Sequence, residues 1–263
     1  MTIETGLDKG KIRRAFAAAA SGYDGAAALQ RKVGLELLRR FPLGRKSGRV
    51  LDVGCGTGFL TCLLDTALAG QQLIALDLAL PMLQTSRSKQ PDMEAYYLCA
   101  DAEKLPLARS CVSQIYSNLA LQWTQDLATT FSGFKQVLEP GGVLVFATFG
   151  PATLCELKSA WAAVDSYTHV NTFHSVAAID ALLSAAGFRD IRVSSLMYRW
   201  SYPTVLDLMR ELKDMGAHNV NSGRKPKPTT KAQLQQMMIH YREQMPGLDI
   251  VASYEIIFVK ARL

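Results

Sequence analysis

The run from Val50 to Leu60, Val-Leu-Asp-Val-Gly-Cys-Gly-Thr-Gly-Phe-Leu, limits the possible folds more than any other part of the chain. It reads as a buried strand, Arg49 to Val53, that enters a glycine-rich turn and leaves it as a helix, Leu60 to Leu68. Glycine reaches positive φ and carries no Cβ, so such a turn is tight and lets a ligand come close to the backbone. The first N–H groups of the following helix face the same space. The dinucleotide fingerprint is Gly-x-Gly-x-x-Gly. Here the third glycine, Gly58, comes one residue early and Asp52 precedes the turn.

Further apolar runs follow at regular intervals, and each ends on a polar residue. Gln72 to Leu76 ends at Asp77, Glu94 to Cys99 at Asp101, and Val112 to Ser117 at Asn118. A fifth run, Val143 to Thr148, follows the turn Glu139-Pro140-Gly141-Gly142. Helical patterns, Pro81 to Ser88 and Leu127 to Leu138, lie between them. Strands that alternate with helices predict right-handed βαβ units and a parallel sheet covered on both faces. Ligands of such sheets bind at the carboxyl ends of the strands, where Asp52, Asp77, Asp101 and Asn118 fall.

Before this core, Ile12 to Leu38 reads as mostly helical with a break near Ser21 to Gly25. Beyond residue 150 the pattern loosens. Ser175 to Ala186 predicts a helix closed by Gly187, and Ile191 to Trp200 and Ser253 to Ala261 predict two more strands. Between those strands, Pro203 is expected as the first residue of a helix running on from Thr204 to Met215. A polar loop, Gly216 to Thr229, leads to a capping box at Thr230 to Gln233 and a last helix to about Gln244. A helical insertion there would lie over the carboxyl edge of the sheet as a lid.

Composition narrows the class. Hydrophobic residues make 49% and charged residues 20% of the 263, the proportions of a globular protein with a full core. No apolar run is long enough to span a bilayer, and the N-terminus has no apolar signal core, so a cytoplasmic protein is expected. The five cysteines have neither paired nor metal-like spacing and read as reduced core thiols; no metal site is expected. The net charge of +6 suits an acidic partner, but the basic residues form no dense block with interleaved aromatics.

Each candidate residue has a chemical reason. Asp77 can accept two hydrogen bonds from a ribose diol, the alternative being a helix N-cap. Asp101 and Ala102 can read an adenine edge, or Asp101 simply stabilises a turn. Asn118-Leu119-Ala120-Leu121-Gln122-Trp123 would set backbone carbonyls near the aminoacyl end of a cofactor and near its substrate. Asp52 would balance a nearby positive charge. Phe16 and Tyr23 would close the front of the site, or a helix carrying them merely packs on the core.

Asp52-x-Gly54-x-Gly56-x-Gly58 resembles motif I of the class I S-adenosylmethionine-dependent methyltransferases. The resemblance extends from Arg49 to Gly150 and includes Asp77, Asp101 and the Pro-Gly-Gly turn. Outside the core, Ile12-Arg13-Arg14-Ala15-Phe16, Tyr23-Asp24, Leu29-Gln30, Asn118 to Trp123 and Met209 to Ala217 resemble the malonyl-acyl-carrier-protein O-methyltransferases of biotin synthesis. This resemblance implies an α/β, Rossmann-like, doubly wound and mostly parallel seven-stranded sheet. It also implies one domain over residues 1–263, with a helical cap (1–45), a cofactor-binding core (49–150) and a lid insertion between the last two strands (201–249). S-adenosyl-L-methionine would be held by Asp52, Gly54, Cys55, Gly56, Gly58, Asp77, Leu78, Met82, Asp101, Ala102, Asn118 and Leu119, with Tyr23 and Phe16 in front. The acceptor would be the free carboxylate of a malonyl thioester on an acyl carrier protein, or malonyl-coenzyme A.

A carboxylate is already ionised at neutral pH, so transfer to it needs no general base. Arg210, Lys213 and Arg224 are the expected partners of the malonyl group. Other acceptors (a small acid, quinone or phenol) and a non-catalytic assembly role are the competing readings. A nucleic-acid substrate is disfavoured, because no Asn-Pro-Pro-Tyr or Pro-Cys follows the fourth strand.

Overall fold

A computed structural model of the chain describes residues 6–44, 48–68, 72–216, 229–245 and 249–263. The cap consists of three helices, α1 (Lys9–Ala19), α2 (Tyr23–Ala26) and α3 (Ala28–Arg40). The predicted break falls where Ala20 to Gly22 and then Ala27 interrupt the helical run. Asp8 caps α1 by accepting the Lys11 N–H.

The core alternates as expected: β1 (Val50–Val53), α4 (Phe59–Leu68), β2 (Leu73–Asp77), α5 (Leu80–Lys89), β3 (Ala95–Cys99), β4 (Val112–Asn118), α6 (Leu127–Val137) and β5 (Leu138–Phe149). The second half adds α7 (Cys155–Ala162), α8 (Val176–Ala186), β6 (Arg189–Tyr202), α9 (Val205–Asp214), α10 (Lys231–Glu243) and β7 (Ile250–Arg262). The sheet order is β3-β2-β1-β4-β5-β7-β6. Pairs from β3 through β5 are parallel, and β7 runs antiparallel to both neighbours. The order reverses between β1 and β4, which opens a crevice at their carboxyl ends.

Both faces of the sheet are covered because the central strands are apolar at consecutive positions. Along β5, Val143, Val145 and Ala147 face the α3–α4 side, whereas Leu144 and Phe146 face α6 and α8. Leu60 and Leu64 of α4 pack on the first side; Phe131 and Phe134 of α6 pack on the second. Each fully buried side chain of this size stabilises the fold by about 1.5–3 kcal/mol. The helix ends follow local chemistry. Ser175 caps α8, Gly187 closes it at φ 94°, and Thr230 with Gln233 forms the predicted capping box of α10.

Several sequence expectations need correction. Pro203 lies outside α9: Thr204 is the N-cap, accepting the Asp207 N–H through Oγ1 at 3.2 Å, and the helix begins at Val205. β5 starts at Leu138 rather than Val143, because Leu138 pairs with Val112 ahead of an irregularity in the ladder. Helix α7 was not anticipated. Cys55 is buried, but Cys99 and Cys155 are exposed, so these two are not core thiols. Among the described residues, no helix is long and apolar enough to cross a membrane, and no group of His, Cys, Asp and Glu is placed to hold a metal.

Candidate functional site

The glycine turn and the end of β2 form one unit. Gly56 donates its N–H to Asp77 Oδ2 at 2.9 Å, and Ala79 donates to Asp77 Oδ1 at 2.8 Å. Asp77 is therefore not the N-cap of α5, a position taken by Ala79. Each carboxylate oxygen keeps further acceptor capacity for a diol. Gly54 needs its glycine twice over: φ is +72°, and a Cβ would stand 2.2 Å from Ala120 Cβ. The absence of that side chain lets the β1 and β4 loops touch. At Gly58 φ is +89° and a Cβ would meet Ser86 Oγ at 2.1 Å, so its smallness lets the turn pack against α5.

One cleft is lined by Gly54, Gly56, Asp77, Leu78, Met82, Asp101, Ala102, Asn118 and Leu119, with Phe16, Tyr23 and Trp123 across it. A second pocket continues past Gly54 and Gly56 to Asp52, Cys55, Gln30, Gln90 and Asn118. Four buried acceptor atoms on its walls have no partner among the described residues: Gln30 Oε1, Asp52 Oδ1, Gln90 Oε1 and Asn118 Oδ1. Asp52 is fully buried and its other oxygen accepts from Thr61 Oγ1 at 2.7 Å. Burial raises its pKa to about 7, against the pull of Thr61 and with a further push from Asp77. Burial likewise raises Asp77 above the usual carboxylate range. The two cations on its wall, Arg31 and Lys89, are engaged with Asp24, so the buried acceptors suit an ammonium and a sulfonium. Asp101 already accepts the Glu103 N–H through Oδ1 at 3.0 Å, as a turn residue does.

Two sets of contacts tie the cap to this cleft, neither of them visible in the sequence. Lys9 of α1 forms ion pairs with Asp101 and, at 2.6 Å, with Glu103. Asp24 of α2 accepts from Thr57 in the glycine turn and pairs with Lys89 of α5. These partners lie 33 to 94 residues apart, so no local pattern announces them.

A larger cavity of about 630 Å³ adjoins the cleft. Phe16, Tyr23, Leu119 and Trp123 line both, so the two meet at an aromatic junction. Phe16 packs edge-on to Trp123 at 5.3 Å and lies 6.5 Å from Tyr23. Leu119 turns the chain here at φ +50°. Its carbonyl accepts the Gln122 side-chain N–H at 2.6 Å and keeps a second lone pair. Leu157 and Trp161 of the unforeseen α7, and His169, Asn171 and Phe173 of the loop after it, complete the walls.

Helix α9, in the insertion between β6 and β7, borders this cavity. Met209, Leu212 and Met215 line the cavity together with Arg210 and Lys213. These two cations also line a shallow groove between α9 and the alanine-rich cap. Arg210 is 69% exposed and already donates to Asp207 Oδ1 at 2.8 Å, so both cations stand at the rim rather than inside. Arg224 lies outside the described residues. The lid is fastened beneath: Tyr202 donates to Glu211 Oε1 at 2.7 Å and lies 3.1 Å from the Tyr254 hydroxyl.

Residues 51–146 match Methyltransf_11, a methyltransferase domain. A malonyl-[acyl-carrier protein] O-methyltransferase of Methylococcus capsulatus is 44% identical over 246 residues, covering 92% of this chain and 89% of that one. The biotin biosynthesis bifunctional protein BioHC of Cellvibrio japonicus is 38% identical over 98% of this chain, which spans 51% of that longer protein. In structure, the Haemonchus contortus phosphoethanolamine N-methyltransferase 2, solved with S-adenosylhomocysteine, aligns with a TM-score of 0.54 at 18% identity, over 87% of this chain and 52% of the other. With the glycine turn, the strand-end carboxylates and the cap and lid all in place, this chain belongs to the malonyl-acyl-carrier-protein O-methyltransferases, a family of S-adenosylmethionine-dependent enzymes.

Proposed function

We propose that the protein methylates the free carboxylate of a malonyl group carried as a thioester on acyl carrier protein, in the early part of biotin synthesis. The observation that carries this reading is the aromatic junction, where a cofactor cleft and a separate acceptor cavity share Phe16, Tyr23, Leu119 and Trp123. When bound, S-adenosylmethionine supplies a sulfonium methyl, which moves to the carboxylate oxygen while the carbon–sulfur electron pair stays on sulfur. Asp77 holds the ribose and Asp52 faces the positive end of the cofactor. Phe16, Tyr23 and Trp123 exclude water from the junction, so the work of the protein is alignment.

Arg210 and Lys213, at the rim shared by cavity and groove, meet the negative charge of the carrier and its phosphopantetheine arm. Charge at such a rim acts mainly on encounter rate and partner choice. Masking the malonyl charge as an ester would make the chain acceptable to machinery that elongates apolar acyl groups. Saturating-substrate rates test the acceptor assignment. An ionised carboxylate needs no deprotonation, so kcat stays flat from pH 6 to 8.5. A rise with a midpoint near neutrality would instead identify a phenol or amine activated by a base.

A further inference from the structure

The acceptor cavity is mostly apolar, and its two obvious cations sit at the rim. Deeper in the wall, the His169 side chain is only 12% exposed. Its ring stacks on Trp161 with centroids 3.8 Å apart and planes within 6°. Its Nε2 lies 2.7 Å from Asp165 Oδ1, which also accepts the Tyr167 N–H at 3.1 Å. Trp161 is itself buried on α7. The ring is thus held on a face and on an edge, an arrangement that leaves Nδ1 as its remaining polar atom.

We propose that His169 is a specificity-determining residue of the acceptor cavity, holding the free carboxylate of the acyl group through Nδ1. This rests on the reading that the acceptor is a malonyl thioester. The chemistry follows from the fixed edge. With Nε2–H committed to Asp165, a neutral ring offers Nδ1 only as an acceptor, which suits no carboxylate. The imidazolium keeps Nε2–H on Asp165 and gives Nδ1–H to the acyl carboxylate, a charge-assisted hydrogen bond. Methylation removes the negative charge, so the same contact weakens in the product and release is favoured. Stacking on Trp161 restricts the ring's rotation, so little side-chain freedom is lost on binding. The bland alternative is a clamp: an Asp–His pair that pins the 163–175 loop to α7 and touches no substrate.

Kinetics of His169→Phe and His169→Gln with malonyl-carrier protein separate the two accounts. Phenylalanine keeps the stack and removes both nitrogens, whereas glutamine restores an N–H. A substrate contact predicts that His169→Phe raises the acceptor KM about tenfold or more, the scale of one charge-assisted hydrogen bond. Cofactor affinity and kcat then stay within about twofold, and His169→Gln recovers part of the loss. A folded His169→Phe protein with unchanged acceptor KM overturns the proposal. Independently of turnover, ¹⁵N-histidine NMR of the protein saturated with S-adenosylhomocysteine reads the ring directly. Malonyl-pantetheine should shift the His169 Nδ1 signal and its methyl ester should not. That shift in a protein inactive on malonyl-carrier protein would defeat the reaction assigned above and leave the anchor standing; no shift defeats the anchor.

Discussion

The backbone N–H of Gly56 reaches Asp77 Oδ2 at 2.9 Å, so the glycine turn and the Asp77 carboxylate are one hydrogen-bonded element rather than two neighbouring motifs. Removing the carboxylate therefore loosens the turn as well as removing the contact proposed for the ribose diol. Asp77→Ala should weaken S-adenosylhomocysteine binding by about 1.5–3 kcal/mol, the scale of a charge-assisted bond. Calorimetry on the folded variant checks it, and an unchanged affinity would leave Asp77 as a turn residue only.

Asp52 makes cofactor affinity depend on pH in a definite direction. Its pKa is raised by burial to about 7, so below that pH the empty site holds a proton that a cationic ligand must displace. Affinity for S-adenosylmethionine should thus tighten from pH 6 to pH 8 and then level off, with proton release on binding. Asp52→Asn should abolish this slope. The same shift has a sign for stability. The unfolded carboxylate loses its proton near the ordinary value, so between about pH 4 and pH 7 the folded state binds the extra proton. Its contribution to stability falls as pH rises through that window, which thermal melts of the apo protein would show.

Gly54 and Gly56 should respond differently to alanine. Both lie at positive φ, which costs an L-residue about 1–2 kcal/mol. At Gly56 the added Cβ has Tyr23 Cε1 as nearest neighbour at 4.0 Å, so this backbone cost is nearly the whole effect. At Gly54 it would also strike Ala120, and the larger loss of melting temperature belongs there. Equal shifts would contradict the contact between the two loops.

The lid fastening gives a stability prediction. Tyr202→Phe strands Glu211, whose pKa is raised by burial although Tyr202 lowers it, and should destabilise the protein by about 1–3 kcal/mol. Rim charge behaves otherwise. Arg210→Ala and Lys213→Ala should leave stability unchanged within about 0.5 kcal/mol. They should raise the carrier-protein KM by an amount that shrinks as salt rises. A salt-independent loss for Arg210→Ala would place that side chain inside the cavity.

Much of this site is legible in the sequence because it hangs on strand ends. Asp77, Asp101 and Asn118 each follow or close an apolar run, Asp52 stands one residue before the end of its own, and a parallel sheet brings such ends together whatever lies between. The packing of Gly58 was not legible, because the space of a glycine can be filled by protein from another segment, here by Ser86. Helix α7 hid in a short segment whose Leu157 and Trp161 fit no long periodic pattern. His169 was equally silent, since one histidine in a polar stretch gains meaning only from the ring it stacks on. Lys9 and Asp24 hold the cap by charges whose partners come from distant segments.

Mass spectrometry of malonyl-holo-acyl carrier protein, incubated with this protein and S-adenosylmethionine, tests the central claim most directly. The account predicts a carrier species heavier by one methylene, formed only when both the protein and S-adenosylmethionine are present. A carrier that stays at the malonyl mass, while the protein binds S-adenosylmethionine and is folded, would contradict it.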